Sequence, residues 1–474
     1  MTGLLALDQG TTSTKAYLWK DDAFTLIGQR AQRQIRPRSG WVEHDAEEIV
    51  THLAELVELA GPCEAAGLAN QGETVIAWDA QTGRPLHNAI VWQDERTGDA
   101  IAQLKAAGVE ALTLASAGLP LDAYFSASKL RWLLDHADGA QALHRQGRLR
   151  LGTSDAFFLH RLTGVCATDP STASRTSLLD LRRLCWDPAL CEAFGVPLEC
   201  LPEIRPTTGD FGALPGGARM LASVVDQQAS LFGHGCHEAG DLKITFGTGA
   251  FALGLTGAEP AMGETRGLLP TCAWQHTGCA PAYALDGGIL TAGAAIEWLK
   301  ECGLLAGGHA DLDGFDGEPA ISRGLAFVPA LAGLGSPHWD RAARGLWLGL
   351  DLSTSPADLR RAVLEGIAFR AAELVGNLRQ ALGESGRIAI DGGLSRSRYF
   401  TAFLANALDA PIEVAGSADI TALGVLHLTL AALGRPERPM PEGIRRVCPD
   451  APLGPIPHER FARAVRLSRD WARG

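Results

Sequence analysis

The sequence predicts an α/β protein built from two related domains that face each other. A strand-like run, a short polar turn and a second strand-like run occupy residues 4–19, and the same unit recurs at 242–253. Further along, apolar runs of strand length alternate with amphipathic helical patterns, which is typical of α/β folds. The length of 474 residues exceeds what one hydrophobic core usually supports, so two large domains are expected.

The first unit is interpreted as a β-hairpin with a polar tip. Apolar residues fill 4–7 and 16–19, and the segment between them is polar. Glycine lets the backbone approach a ligand closely, and hydroxyl, ammonium and carboxylate groups together suit the phosphates of a magnesium nucleotide. The tip residues that offer these groups are Asp8, Gly10, Thr11, Thr12, Ser13 and Lys15. A plain polar hairpin turn is the alternative interpretation.

Two further glycine turns have similar chemistry. The second unit turns at 247–249, where Thr248 stands between two glycines. A third turn, at 391–395, follows the apolar run 388–390 and precedes a helix from about Arg398. Backbone N–H groups in a turn between a strand and a helix can bind phosphate. Three such turns favour a nucleotide site, although the spacing of a Walker A loop is absent from the sequence.

The segment after Ser355 predicts a long helix. Ser355 suits the N-cap and Pro356 the first turn. Apolar residues then follow at three- and four-residue steps from Leu359 to Leu378, which gives the helix one apolar face.

We place the domain boundary in the glycine-containing connection near 235–240, which divides the chain into 1–239 and 240–474.

Asp226 is the strongest candidate for a catalytic base. It follows the apolar run 221–225, precedes a helical pattern, and has the amides Gln227 and Gln228 beside it. A carboxylate at such a junction is well placed to accept a proton from a bound ligand. An N-cap role for the same carboxylate is the alternative.

Polar clusters at 70–74 and 91–97 adjoin apolar runs. Their carboxylates and amides suit hydrogen bonding to a polyhydroxy ligand, and Trp92 and Tyr124 can supply apolar walls for its carbon atoms. For the polar clusters the alternative is a solvated loop, and for the two aromatic residues it is ordinary core packing.

The net charge, the cysteines and the apolar runs bear on the partners and the location of the protein. The formal net charge of −12 argues against nucleic acid or an anionic membrane as the main partner. Ten scattered cysteines without a C-x-x-C pair predict reduced thiols and a cytoplasmic location. The charge-free run 420–434 is shorter than the ~20 residues of a membrane-spanning helix. The first residues also lack the pattern of a signal peptide.

Seven segments together resemble the FGGY family of carbohydrate kinases. Residues 124–136 and 345–365 are similar to the two signatures of that family. Five more blocks are similar in the same order: 8–13 (DQGTTS), 91–97 (VWQDERT), 168–176 (TDPSTASRT), 226–233 (DQQASLFG) and 333–345 (GLGSPHWDRAARG). The resemblance implies two actin-like, ribonuclease-H-like domains around a central interdomain cleft. It assigns the polyol or sugar mainly to 1–239 and ATP mainly to 240–474.

The resemblance also implies roles for individual residues. Asp226 matches the general base of the family, and Asp8 matches an aspartate associated with Mg²⁺. The positions that match the substrate pocket are Glu73, Trp92, Tyr124, Asp226, Gln227 and Phe251. The positions that match contacts to ATP are Thr11, Thr12, Lys15, Thr248, Gly293, Glu297 and Gly393. The expected partners are therefore ATP, Mg²⁺ and a small polyol or sugar, and a homodimer is expected only at the level of the family.

One position departs from the glycerol-specific members of the family, which usually have arginine where this chain has Gly72. Either a longer substrate fits the space, or an arginine from another segment fills it. The expected reaction is ATP-dependent phosphorylation of a primary hydroxyl of a small polyol, with glycerol first. A four- or five-carbon polyol or ketose, such as erythritol or xylulose, is the alternative. A non-catalytic actin-like ATP-binding module is a more remote one, against which Asp226 argues.

Overall fold

The computed structural model describes residues 3–263, 265–305, 307, 311–383, 386–416, 419–437, 443–471 and 473. The strands within these ranges are, in chain order, β1 (Gly3–Gln9), β2 (Ser13–Lys20), β3 (Ala23–Ala31), β4 (Glu43–His44), β5 (Cys63–Asn70), β6 (Val75–Asp79), β7 (Ala89–Ile90), β8 (Leu149–Thr153), β9 (Ala167–Thr168), β10 (Leu179–Asp180), β11 (Cys185–Trp186), β12 (Glu203–Ile204), β13 (Arg219–Val225), β14 (Leu242–Phe246), β15 (Ala250–Gly257), β16 (Leu269–Gln275), β17 (Pro281–Ile289), β18 (Ala326–Val328), β19 (Leu346–Leu348), β20 (Ile388–Gly392), β21 (Ile412–Ala415) and β22 (Ile444–Val447).

The helices connect and cover these strands. In chain order they are α1 (Ala46–Ala60), α2 (Gly98–Ala106), α3 (Glu110–Ser116), α4 (Ser126–His136), α5 (Ala140–Arg145), α6 (Ser154–Thr163), α7 (Pro170–Ala173), α8 (Pro188–Phe194), α9 (Asp226–Gly233), α10 (Gly293–Glu301), α11 (Pro356–Leu382), α12 (Arg398–Leu408), α13 (Ile420–Ala432) and α14 (Pro455–Trp471). Short 3₁₀ helices lie at Leu198–Cys200 and Gly393–Arg396.

Two sheets repeat one strand order. The first runs β13–β5–β1–β2–β3, with β1 to β3 antiparallel and with β5 and β13 parallel to β1. The second runs β16–β17–β15–β14–β20–β21–β22, with β14, β15 and β17 antiparallel and with β20 and β21 parallel to β14. Each sheet therefore contains three antiparallel and two parallel strands in the same arrangement. This repeated order confirms the predicted α/β class and is that of two actin-like, ribonuclease-H-like domains.

The local predictions about the hairpins and the long helix are confirmed. β1 pairs with β2 around a turn at 10–12, and β14 pairs with β15 around the turn at 247–249. The long helix α11 begins with a capping box, in which Ser355 Oγ accepts from the backbone N–H of Asp358, while Asp358 Oδ2 accepts from that of Ser355 at 2.9 Å. Because this box satisfies N–H groups that the first helical turn leaves unpaired, it fixes the start of the helix.

Two helices cross where the halves of the chain meet. α13 from the second half packs on α9 and on strands β1, β5 and β13 of the first sheet. The crossing is close because of glycine: a Cβ atom at Gly424 would overlap the carbonyl oxygen of Ala229, and one at Gly233 would overlap that of Ile420. The predicted domain boundary after residue 239 falls between α9 and β14 and stays a prediction.

All ten cysteines carry free thiols. Within the described residues, helices that are both long and apolar enough to cross a bilayer are absent.

Candidate active site

A cavity of about 360 Å³ lies where the carboxyl ends of β1, β5 and β13 meet the hairpin turn at 247–249. Residues of both halves line it. The predicted site residues among them are Thr11, Thr12, Glu73, Trp92, Tyr124, Asp226, Gln227, Thr248 and Phe251. The two hairpin tips near Thr11 and Thr248 therefore share one opening, with Asp226 facing it.

Asp226 is the first residue of α9, directly after β13. Its Oδ1 accepts a hydrogen bond from the backbone N–H of Gln227 at 2.7 Å, which orients the carboxylate. Burial raises the pKa of Asp226 to about 7, and the nearby charge of Asp8 adds to the increase. A carboxyl group of this pKa is half ionised near neutral pH, where a general base is most effective.

A buried lysine lies beneath this carboxylate. Lys243 on β14 is fully buried and donates hydrogen bonds to Gln227 Oε1 at 2.5 Å and to Thr245 Oγ1 at 2.8 Å. Burial lowers the pKa of Lys243, although the charges of Asp391 and Asp226 oppose that effect. Because Lys243 holds the amide oxygen of Gln227, the amide N–H donors of Gln227 remain for a ligand.

Three aromatic rings form one wall of the cavity. Trp92 lies edge-on to Tyr124, with ring centroids 5.8 Å apart, and edge-on to Phe251 at 6.1 Å. A second buried lysine, Lys129 on α4, holds the backbone on both sides of this wall. Its Nζ donates to the carbonyl oxygens of Trp92 at 3.1 Å and Tyr124 at 2.9 Å. The rings therefore have a fixed spacing, which suits contact with the carbon atoms of a small ligand.

A buried arginine, Arg175, lies beside Gly72. Arg175 Nε donates to Glu73 Oε1 at 2.7 Å, and its Nη2 donates to Asp286 Oδ2 at 2.9 Å. A Cβ atom at Gly72 would lie 4.0 Å from Arg175 Cγ and 3.2 Å from Val225 Cγ1. An arginine from another segment thus lies next to the glycine, as one of the two sequence alternatives expected.

The first hairpin tip is braced so that its backbone faces the cavity. The side chain of Gln32, at the end of β3, donates to the carbonyl oxygen of Thr11 at 3.1 Å and accepts from Thr14 Oγ1 at 3.0 Å. Trp92 Nε1 donates to Thr11 Oγ1 at 3.1 Å. This last bond connects the aromatic wall directly to the proposed phosphate loop.

Asp8 and Lys15 are cross-strand neighbours on β1 and β2, outside the cavity lining. Burial raises the pKa of Asp8 to about 6, against the opposing charge of Lys15. Lys15 Nζ also lies 3.7 Å from Asp419 Oδ1 at the start of α13. Residues from both halves therefore contribute charges at the base of the first hairpin.

The remaining predicted ATP residues lie on the second half, outside the lining of this cavity. Gly293 begins α10 and donates its N–H to the carbonyl oxygen of Gly247 at 2.9 Å, so it packs against the second turn. Glu297 lies on the exposed face of α10, where its Oε2 is 3.8 Å from Lys300 Nζ. Gly393 has open space where a Cβ atom would be.

The turn after β20 gains its shape from the neighbouring Gly392. That glycine has a φ of 93°, and a Cβ there would overlap the carbonyl oxygen of Phe246. The side chain of Asp391 points to α9, where Oδ2 accepts from Ser230 Oγ and His234 Nε2, both at 2.9 Å. Burial alone would raise the pKa of Asp391, but the hydrogen bond and charge of His234 lower it to about 2.

Sequence reasoning did not single out four charged residues of the site. Arg175 and Lys129 stand within segments that carry the family resemblance, so the signal was present but gave them no role. Lys243 and Asp286 occupy strand interiors, where their charges carry no local sign of function. Only the pairing of distant strands brings Asp286 to the cavity lining and Lys243 to Gln227.

Profiles of known protein families match both halves of the chain. Residues 4–232 match the N-terminal domain of the FGGY family of carbohydrate kinases, and residues 242–433 match the C-terminal domain of that family.

Individual relatives are similar over almost the whole length. The chain is 40% identical over 494 residues to a glycerol kinase of Halorhodospira halophila, which covers 99% of this chain and 97% of the relative. It is 44% identical over 441 residues to a glycerol kinase of Thermus brockianus, with coverages of 90% and 88%.

Solved structures are similar as well. A glycerol kinase of Plasmodium falciparum, determined with ADP, has a TM-score of 0.87 at 28% identity and covers 100% of this chain and 98% of its own. A ligand-bound xylulose kinase of Lactobacillus acidophilus has a TM-score of 0.86 at 21% identity, with the same coverages, and shares the fold.

Proposed function

This chain belongs to the FGGY family of carbohydrate kinases. On that premise we propose that it transfers the γ-phosphoryl group of ATP to a primary hydroxyl of a small polyol, and that glycerol is the foremost candidate substrate. The observation that carries the proposal is the shared cavity. Asp226 lines it together with the hydroxyl-bearing tips at Thr11 and Thr248. One carboxylate is therefore accessible to an alcohol and to a triphosphate at the same time.

The proposed chemistry needs a base and precise placement of two substrates. The hydroxyl oxygen attacks the γ-phosphorus, the new O–P bond forms, and the bond between that phosphorus and the β,γ-bridging oxygen breaks to release ADP. Asp226 orients the hydroxyl and accepts its proton as the transfer proceeds. Because the transition state of phosphoryl transfer is loose, positioning and charge neutralisation contribute most of the acceleration.

The polyol is proposed to bind between polar and aromatic groups. Glu73 and Gln227 offer hydrogen bonds to its hydroxyls, while Trp92, Tyr124 and Phe251 cover its carbon atoms. Lys243 supports this role by fixing which end of the Gln227 amide faces the ligand. Polar groups that orient the hydroxyls, beside aromatic rings that cover the carbon atoms, give specificity for orientation.

ATP is proposed to bind across the halves, with 1–239 carrying the polyol and the base and 240–474 carrying most of the nucleotide site. Backbone and hydroxyl groups of Thr11, Thr12 and Thr248 would face the phosphates, and Lys15 would add a positive charge. Gly293, Glu297 and Gly393 would lie along the nucleoside. Closure of the halves about the crossing of α9 and α13 would exclude water, which otherwise competes with the polyol as acceptor.

The residues present also fit Mg²⁺. Groups of three His, Cys, Asp or Glu side chains that could hold a metal are absent from the described residues, but Mg²⁺ bound with a nucleotide commonly uses one or two carboxylates plus phosphate oxygens. Asp8 would hold it, since burial and the charge of Asp419 disfavour the ionised form of this carboxyl, as its raised pKa of about 6 records, and a cation would offset that cost. When bound, the ion neutralises charge on the phosphates.

The test compares the wild type with Asp226→Asn in an assay of ADP release from ATP and glycerol. We expect the variant to lose turnover by at least about a hundredfold, the lower range for a general base, while calorimetry shows that ATP still binds. Asp138→Asn, a matched change in an exposed turn between α4 and α5, should behave as wild type. Undiminished turnover in Asp226→Asn would reject the role of Asp226 as the general base. A wild type that releases no ADP with any polyol would reject the proposed kinase function.

A further inference from the structure

An exposed arginine in the cavity lining makes no ion pair with the described residues. Arg36 lines the cavity together with Thr11 and Thr12 of the first hairpin tip. Its side chain donates one hydrogen bond, from Nη2 to Gln34 Oε1 at 3.3 Å, and no carboxylate of the described residues lies within ion-pair distance. Because a guanidinium group carries several N–H donors, those that Gln34 does not engage remain for a ligand.

The neighbours of Arg36 hold it in place. Ile35 and Glu43 exchange both backbone hydrogen bonds, each at 2.8 Å, and so fix the chain next to Arg36. Gln34 Nε2 donates to Gln93 Oε1 at 2.9 Å, which turns the oxygen of the same amide towards the guanidinium group. Neutral groups therefore orient Arg36, and its positive charge is not used up by a counterion.

The lining otherwise carries an excess of negative charge. Its carboxylates are those of Glu73, Asp226 and Asp286. The other guanidinium group in the lining, that of Arg175, is buried and already forms ion pairs with Glu73 and Asp286. Within the described part of the lining, Arg36 is therefore the cation whose charge stays available. A phosphate chain beside these carboxylates requires such a cation, since pockets stabilise developing charge with groups that are already in place.

We propose that Arg36 binds the γ-phosphoryl group of ATP and neutralises the charge on its oxygens during transfer. This inference rests on the proposed kinase function and adds a catalytic residue to it. Asp226 lines the same cavity, so the hydroxyl that it orients and the group that is transferred meet there. The planar guanidinium group pairs two N–H donors with phosphate oxygens and keeps its proton throughout. Lys15 lies outside this lining and is left for the other phosphates.

The test measures nucleotide affinity and turnover separately in the wild type, Arg36→Gln and Arg36→Lys. Calorimetry compares ADP, which lacks the γ-phosphate, with the β,γ-imido analogue of ATP, both with Mg²⁺ and without a polyol. In Arg36→Gln a charged hydrogen bond is lost, so we expect the analogue to bind at least about tenfold more weakly and ADP to stay within about twofold of the wild type. The value of kcat/KM for ATP, from ADP release with glycerol, should fall at least about tenfold as well. Arg36→Lys keeps the charge and loses the paired donors, so both losses should be smaller.

The matched control is Arg33→Gln, on the same segment but outside the lining, where the exposed Arg33 pairs with Glu48. Exposed pairs contribute little, so this variant should equal the wild type in every measurement. An Arg36→Gln variant that loses affinity for ADP and for the analogue equally, or for neither, overturns the assignment to the γ-phosphate. A loss confined to KM for glycerol overturns it too, because it places Arg36 at the acceptor. If the wild type releases no ADP with any polyol, the proposed function falls, while the comparison of ADP with the analogue still decides whether Arg36 contacts the γ-phosphate.

Discussion

The ionisation of Asp226 makes the proposed reaction sensitive to pH near neutrality. Only the ionised carboxylate can accept the proton of the substrate hydroxyl. Burial and the charge of Asp8 raise the pKa of Asp226 to about 7. Turnover should therefore rise with pH through this value and level off above it.

The magnitude follows from the fraction of Asp226 that is ionised. With a pKa of about 7, roughly one molecule in eleven carries the carboxylate at pH 6, so kcat/KM should fall about tenfold below its plateau. An aspartate with the ordinary pKa of 3.8 would instead be ionised throughout the range from pH 6 to 8. Such an enzyme would show a flat profile.

The assay measures ADP release over pH 5.5 to 9 under two conditions. At limiting ATP, kcat/KM reports the pKa of the ligand-free enzyme and should have its midpoint near 7. At saturating ATP with Mg²⁺, the profile instead reports the pKa of Asp226 in the complex with both substrates. Calorimetric measurement of ATP binding across the same range separates the ionisation of ATP from that of the enzyme.

A rate that stays constant between pH 6 and 8 under both conditions would refute the reasoning.

Two further predictions concern positioning and packing. Lys129→Met removes the donor to the carbonyl oxygens of Trp92 and Tyr124; KM for the polyol should rise more than kcat falls, and an unchanged KM would contradict a positioning role. Its unpaired carbonyls should also lower the free energy of unfolding by about 1–3 kcal/mol in urea titrations. Gly424→Ala forces a Cβ against the carbonyl oxygen of Ala229 and should lower the free energy of unfolding by about 1–3 kcal/mol. If Gly424→Ala unfolds at the same urea concentration as the wild type, the crossing of α9 and α13 accommodates the added carbon without loss of stability.

Local patterns were enough to predict several elements. The two hairpins follow from apolar runs on either side of short glycine turns, and both are present as β1–β2 and β14–β15. Ser355 and Pro356 predicted the start of α11, where the capping box lies. Asp226 was placed at a strand-to-helix junction, and it begins α9. Each of these features depends on residues that are close in sequence.

The contacts across the cavity depend on residues that are far apart. Arg175 and Asp286 are 111 positions apart and form a buried ion pair, while no feature of the sequence near either residue indicates the other. Gly72 offered two interpretations, and only the path of the chain shows that Arg175 lies beside it. Of the two adjacent glycines at the end of β20, the sequence did not distinguish Gly392, whose left-handed backbone requires glycine, from Gly393.

The sequence by itself determined the class of fold, the repeated hairpins, the membership of the FGGY family and the catalytic candidate Asp226. The tertiary structure alone decided which charges surround that carboxylate, that α13 of the second half covers the first sheet, and that Arg175 lies beside Gly72. The physical reason is the range of the interactions. Turns, caps and amphipathic patterns act over a few residues, whereas burial and ion pairing are set by which distant segments the two sheets bring into contact.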